Sequence, residues 1–338
     1  MLTDARSGTA HQALGVAEAL AIPFAVKLLK YTTLVQSLNV ARSVTGYTLT
    51  AESRATLLGP PWPDILITAG RRAALVARWI RAQASQTSLA IPPFLAQIMF
   101  PGWRGLADFD LVAVPNHDRL FQMPSNVIHI TGAPHRFTPT SLAMAADYWR
   151  TRFDNSLPRP RVACLVGGAS SRWRPFTADL ACTLAARTAA LTAASGGSVL
   201  LTTSRRTEPS AAAALLSVFA DSGVPLFAYL WGDLRENPYP GLLALADSIV
   251  VTGDSVSMCT EACAQPGPVF IFAPPGWVRI KHARLHTELF ALGYARPLPY
   301  AEDRVFPDWR HLPLNPARVV ADKIRMCWRL RNQSHEPV

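Results

Sequence analysis

Short apolar runs, each closed by Gly, Pro, Asp or Ser, recur along the chain. In the amino-terminal half they are AIPFAVKLLKY (21–31), PDILITAG (63–70), PPFLAQIMF (92–100), FDLVAVP (109–115) and NVIHITG (126–132). Such runs are short, rich in branched and aromatic residues and bounded by breakers, which predicts buried strands. Between them HQALGVAEAL (11–20) and RRAALVARWIRAQ (71–83) read as helices. The second half repeats the rhythm more cleanly. RVACLVGG (161–168), SVLLTTS (198–204), VPLFAYLW (224–231), SIVVTGDS (248–255) and PVFIFAPP (268–275) alternate with helices expected near 177–194, 208–220, 239–246, 255–264 and 281–292. Near-continuous apolar strands separated by helices imply parallel sheets covered on both faces.

A helix near 138–152 leads into the polar, Pro-rich stretch RFDNSLPRPR (152–161), the best boundary in the chain. The expected division is an amino-terminal domain over 1–152 and a second over 153–315. A last helix near 316–330 carries Val319, Val320, Ile324, Cys327 and Trp328 on one face. The fold class is α/β, two Rossmann-like doubly wound parallel-sheet domains facing a cleft.

Composition narrows the class. Of 338 residues, 49% are hydrophobic and 17% charged, enough for sizeable cores. The net charge of +10 favours anionic partners, whether phosphate, nucleic acid or an acidic membrane surface. Basic residues form no long runs, and no zinc-finger spacing or aromatic single-strand-binding module stands out. Nucleic acid therefore ranks behind small phosphorylated ligands. The five cysteines contain no C-x-x-C pair, which fits a reducing, cytoplasmic compartment. Cys259 and Cys263 suit small buried hydrophobes better than a metal site. Residues 12–29 are broken by Glu18, Pro23 and Lys27 and read as no membrane span; MLTDARSGTAHQ reads as no secretory signal.

Ligands of doubly wound sheets sit at the carboxyl ends of the strands. Three loops there draw attention. After 161–166 come Gly167, Gly168, Ser170, Ser171, Arg172 and Arg174; after 198–202 come Thr203, Ser204, Arg205, Arg206 and Thr207; after 248–251 comes TGDSVS with Asp254, Ser255 and Ser257. Glycines let backbone approach a phosphate, and arginines add charge and paired donors. A diphosphate is the natural guest. The alternative for Arg205 and Arg206 is a salt bridge to a neighbouring carboxylate. Ser255 is the expected N-cap of the next helix. Ser257 and Glu261 then share one face, with Met258, Cys259, Ala262 and Cys263 as an apolar surface beside them. Glu261 has two readings: an ordinary solvated face, or a carboxylate accepting from the vicinal hydroxyls of a ribose. In the first half, TDARSGTAHQ offers Asp4 and His11, and ITAGRRA offers Arg71. His11 reads as a candidate base or as a cap or surface residue. No G-x-S-x-G, H-E-x-x-H, P-loop or G-x-G-x-x-G pattern occurs, and no clustered carboxylates suggest a catalytic metal.

Several segments, in order, resemble one family: TDARSGTAHQALGVAEAL, PDILITAGRRAALVARWIR, HITGAPHRFTP, LVGGASSRWR, LLTTSRRT, ENPYPGLLALADSIVVTGDSVSMCTEA and the late PLN at 313–315. It is the mitochondrial-fission ELM-type family, also described as GtrOC-type glycosyltransferases, which is similar to the GT-B glycosyltransferases. The resemblance covers nearly the whole chain and is most specific at TSRRT, ENPY and TGDSVSM..EA. It adds Glu236 and Asn237 to the site and implies the ribose role for Glu261. It implies sugar transfer from a nucleotide-sugar donor to a cell-envelope saccharide or lipid-linked acceptor, without metal or cofactor. His11 or Asp4 would be the base, and the enzyme would work in the cytoplasm or against the inner face of an anionic membrane. A plant member acts at the mitochondrial surface, which implies the alternative of a non-catalytic adaptor. Two departures stand out. Members of the family carry a full strand before the first loop, where this sequence has Met1-Leu2, and the Gly expected after Asp4 is Ala5. The first strand is expected to be short at its amino end.

Overall fold

The computed structural model describes residues 1–3, 7–32, 49–57, 61–86, 91–122, 124–153, 157–299 and 308–333. The chain forms two compact units, Met1–Arg136 with Asn315–Val338, and Phe137–Leu314.

The first unit holds β1 (Leu2–Thr3), α1 (Ser7–Ala19), β2 (Lys27–Leu28), α2 (Ala51–Leu57), β3 (Ile65–Ala69), α3 (Gly70–Gln86), β4 (Phe94–Ile98), β5 (Leu111–Pro115) and β6 (Val127–Ile130). Strands β3-β4-β5-β6 make a parallel sheet in that order, with Ile65 opposite Phe94, Ala96 opposite Leu111 and Val112 opposite Val127. Strand alternation sends successive side chains to opposite faces. Ile67, Phe94, Ala96 and Ile98 pack with Ala13, Val16 and Ala17 of α1. Leu66, Leu95, Val112 and Val114 pack with Ala73, Val76, Ala77 and Ile80 of α3. The last helix, α10 (Pro316–Gln333), buries Ala317, Val320, Ala321 and Ile324 on the α1 side. Its carboxyl end is tied down by Arg331, which pairs with Asp110 at 3.4 Å.

The second unit runs α4 (Pro139–Arg150), β7 (Arg161–Val166), α5 (Ala178–Ala193), β8 (Ser198–Thr203), α6 (Pro209–Ser222), β9 (Leu226–Tyr229), α7 (Tyr239–Leu245), β10 (Ser248–Thr252), α8 (Val256–Ala262), β11 (Val269–Phe272), α9 (Ile280–Ala291) and β12 (Arg296–Pro297). Its six strands are all parallel, in the order β12-β11-β10-β7-β8-β9. Numbered within the unit this is 6-5-4-1-2-3, the doubly wound order of dinucleotide-type folds. Ala163, Leu165, Leu200, Ile249 and Val251 face α4, α7, α8 and α9; Val162, Cys164, Val199, Leu201 and Val250 face α5 and α6.

Two elements differ from the sequence expectation. The run 21–31 is not a buried strand: Lys27–Leu28 pairs with β1 and both residues are exposed, while Tyr31 makes an isolated antiparallel bridge to Leu49. Ile22, Phe24, Val26 and Leu28 are exposed, whereas Leu29 and Tyr31 join the core on the α3 side. Helix α4, placed by its sequence position at the end of the first domain, packs in the second unit. Leu142 and Trp149 join the core there, and Trp149 lies against Gly241, where a Cβ would come within 2.3 Å of its ring. A Pro at its first turn and the reciprocal Thr138–Ser141 capping box start this helix directly after the unit boundary.

Candidate functional site

The order of the second sheet reverses between β7 and β10, and the crevice beyond their carboxyl ends is where such folds bind ligands. The loops that leave these two strands, together with the one after β8, interlock. Gly167 N–H donates to Thr252 Oγ1 at 2.7 Å, and Gly168 N–H donates to Asp254 Oδ2 at 3.0 Å. Arg206 Nη1 pairs with the same Asp254 oxygen at 2.7 Å and donates to Ala169 O at 2.9 Å. The Asp254 side chain is fully buried while that of Arg206 is 39% exposed. Burial pushes the Asp254 carboxyl above the usual carboxylate range; Arg206 opposes the shift, followed by bonds from Thr252 and Gly168. Thr207 Oγ1 donates to Gly167 O at 2.5 Å, Ser204 Oγ donates to the same oxygen, and Thr203 Oγ1 accepts from Trp231 N–H at 2.8 Å. Ser170 Oγ donates to Trp277 O at 3.2 Å.

The glycines here answer to neighbouring chain. A Cβ on Gly167 would lie 2.4 Å from the Asp254 carboxylate, and one on Gly168 would lie 2.0 Å from Arg206 O. The Gly167 and Gly168 amides are engaged by Thr252 and Asp254. Arg206 takes the salt-bridge alternative. Arg205 and Arg172 are exposed; Arg172 lies over the Trp173 ring at 5.5 Å.

Helix α8 carries the other half of the site. Ser255 caps it, its Oγ accepting from Met258 N–H at 3.4 Å. Cys259 and Ala262 face the core, with Cys263 just beyond the helix; Ser257, Met258 and Glu261 are half-buried. Glu261 Oε2 accepts a 2.7 Å hydrogen bond from Tyr239 Oη. Burial raises the Glu261 carboxyl, and the Tyr239 bond holds it down. Burial, then the Glu261 charge, raises the Tyr239 phenol well above its ordinary value. Asn237 Oδ1 accepts from Tyr239 N–H at 3.1 Å, fixing the start of α7, and the exposed Glu236 accepts from Tyr148 Oη at 2.8 Å. Tyr239 escaped the sequence reading although it stands inside ENPY; a phenol four positions into a Pro-framed turn reads as core unless its partner is known. Thr252 escaped for the same reason. The carboxylate keeps further acceptor capacity beyond the one bond.

In the first unit, Asp4 lies outside the described residues. His11 lies on the exposed side of α1, and partial desolvation of its ring, then the Arg136 charge, lowers its pKa against the pull of Glu18. Arg136 pairs with Glu18 at 2.5 Å. Gly15 allows the His135 carbonyl to approach α1, since a Cβ there would stand 2.5 Å from it. Arg71 is exposed at the start of α3, after Gly70 in a positive-φ turn. Among the described residues no cluster of His, Cys, Asp or Glu could hold a metal ion.

The profile of the family described as "Mitochondrial fission ELM1" matches residues 7–328. The chain belongs to that family. The mitochondrial fission protein ELM1 of Arabidopsis thaliana is 31% identical over 284 residues, covering 78% of this chain. This ELM1-family chain spans 63% of the plant protein's length. An uncharacterised protein of Rickettsia prowazekii, RP120, is 24% identical across 98% of both chains. Among solved structures, the UDP-GlcNAc 2-epimerase of Methanocaldococcus jannaschii is similar in fold, with a TM-score of 0.56 at 12% identity over 96% of this chain and 98% of that one. The ELM1-family chain thus has the GT-B-like pair of Rossmann-like domains. No helix among the described residues is long and apolar enough to cross a membrane.

Proposed function

We propose that this protein is a glycosyltransferase whose second unit binds a nucleotide-sugar donor beyond β7 and β10. The observation that carries this reading is Glu261. It is a half-buried carboxylate held by Tyr239 on the helix that leaves the switch-point strand. A carboxylate with one oxygen anchored and acceptor sites to spare suits the vicinal hydroxyls of a ribose. Arg205 and Arg172, both exposed at the same strand ends, supply charge for the diphosphate as it leaves. Ser170, Ser171, Thr203, Ser204, Ser257 and Met258 line the nucleotide, with Glu236 and Asn237 at the ribose side. The first unit takes the acceptor, a saccharide or lipid-linked glycan, with Arg71 toward its anionic part. His11, whose pKa is lowered by desolvation and by Arg136, or Asp4 serves as base. The net charge of +10 favours work at an anionic membrane surface in the cytoplasm.

A second reading has its own observation. Both glycine amides and Arg206 are committed internally, as they would be in an adaptor that keeps the fold and binds no nucleotide. A screen of nucleoside diphosphates and their sugars by thermal shift separates the two. Ligand at about 100 times its Kd adds roughly 2.7 kcal/mol, whereas an adaptor gains nothing. Glu261→Gln should weaken a ribonucleotide about tenfold, through loss of charge-assisted bonds, and leave a 2′,3′-dideoxy analogue unaffected. Equal loss for both ligands, or none for either, removes Glu261 from the ribose.

A further inference from the structure

The loop that leaves β7 narrows to a tight turn over 170–174. Ser170 N–H donates to Arg174 O at 3.1 Å, Arg174 N–H donates to Ser171 O at 3.0 Å, and Ser171 and Arg174 form an isolated antiparallel bridge. The base of the turn is fastened to the chain that follows β11. Ser170 Oγ donates to Trp277 O at 3.2 Å and Arg174 Nη1 to Val278 O at 2.5 Å, while Trp277 Nε1 donates to Pro175 O at 2.9 Å. On the other side Arg206 Nη1 donates to Ala169 O at 2.9 Å. Trp277 itself is 6% exposed, its ring centroid 5.4 Å from that of Phe176 and 6.2 Å from that of Phe272.

The tip carried by this anchored turn buries almost nothing. Arg172 is exposed, and Trp173 is 85% exposed. The Arg172 guanidinium stands 5.5 Å from the indole centroid, over one face of the ring, which leaves the other face to solvent. A single exposed apolar side chain is ordinary. An indole held in a fixed place by a turn bonded from both sides is a preorganised stacking surface, because little freedom is left to lose when a ligand arrives.

The turn also has a definite place in the second unit. Trp277 belongs to the core on the α5 face of the sheet, whereas Glu261 stands on α8, which packs on the opposite face. The ends of β7 and β10 lie between the two. A nucleotide sugar is linear: ribose, diphosphate, hexose. With its ribose at Glu261 and its diphosphate at the strand ends, its hexose comes out on the α5 side.

We propose that Trp173 is the platform for the sugar that is transferred, its open indole face stacked on the apolar C–H face of a hexose. This rests on the nucleotide-sugar reading of the second unit. The hydroxyls of a pyranose point outward around the ring, and its axial C–H groups leave a face that the negative face of an aromatic ring attracts, with dispersion added. Arg172 joins this platform to the anionic part of the same ligand. A hexose stacked in this way is restrained from turning about its bond to the diphosphate, which holds its anomeric carbon in one direction for attack.

The test uses the full chain with UDP, UDP-glucose, UDP-N-acetylglucosamine, GDP and GDP-mannose, titrated by calorimetry and followed by proton NMR of the ligand. At least one conjugate should bind more tightly than its own diphosphate. Its hexose protons should move upfield on binding, as protons above an aromatic face do. Trp173→Ala should weaken that conjugate about three- to tenfold, abolish the upfield shift and leave the free diphosphate and the Tm of the unliganded protein unchanged. Trp173→Phe, which keeps a ring, should retain most of the affinity and the shift. Equal loss for conjugate and diphosphate, no loss for either, or an upfield shift that survives in Trp173→Ala overturns the platform and leaves the donor site standing. A wild-type chain that binds none of these ligands overturns the donor reading itself, and the platform with it.

Discussion

Glu261 and Tyr239 show how one side chain changes the meaning of another. Helical spacing alone leaves Glu261 between solvent and ligand; the 2.7 Å bond from Tyr239 gives it a fixed partner. The carboxyl is raised by burial and held down by that bond. A raised folded pKa means the native state binds more protons between the ordinary carboxylate value and its own. Stability therefore falls as pH climbs through that window. Tyr239→Phe keeps the ring near Phe137 but removes the donor that favours the charged form. Urea unfolding should show a loss of about 1.5–3 kcal/mol at pH 7 and a smaller one near pH 4, where the carboxyl is protonated.

At the scale of elements, the loops after β7, β8 and β10 act as one piece. Asp254 bonds the Gly168 amide and Arg206, so it links all three. Asp254→Ala should cost about 2–4 kcal/mol, below the range for fully buried pairs because water reaches Arg206. Gly168→Ala drives a Cβ to within 2.0 Å of the Arg206 carbonyl, a backbone atom that cannot swing aside. A loss of about 1–3 kcal/mol is expected by thermal unfolding. Gly8, in α1, supplies the control. Nothing lies within 4 Å of a Cβ there, and Ala should stabilise the helix by up to about 1 kcal/mol. The two strand-end glycines looked alike in sequence to those of a phosphate loop. Which atom they make room for, a ligand's or the next loop's, depends on residues about forty and eighty-six positions away.

Over the whole molecule, each unit has its own two-faced sheet, and the chain returns to the first after completing the second. Ile324 of α10 is fully buried against α1 and the first sheet. Ile324→Ala should therefore cost about 2–5 kcal/mol, and hydrogen exchange should place the change in residues 1–136 while β7–β12 keep their protection. Faster exchange in the second sheet instead would assign α10 to the wrong core.

Apolar runs and breakers along the chain were sufficient for the α/β class, the parallel sheets and nearly every helix of the second half, because periodicity is written by neighbours a few residues apart. The strand-end loops were legible for the same reason, since a doubly wound fold puts ligands where its strands end. The strand order 6-5-4-1-2-3, the membership of α4 in the second unit, the exposure of residues 22–28 and the partners of Arg206, Gly168 and Glu261 were decided only in the tertiary structure. Each depends on contacts between segments far apart in sequence, and hydrophobic pattern records that a side chain is buried without recording what buries it.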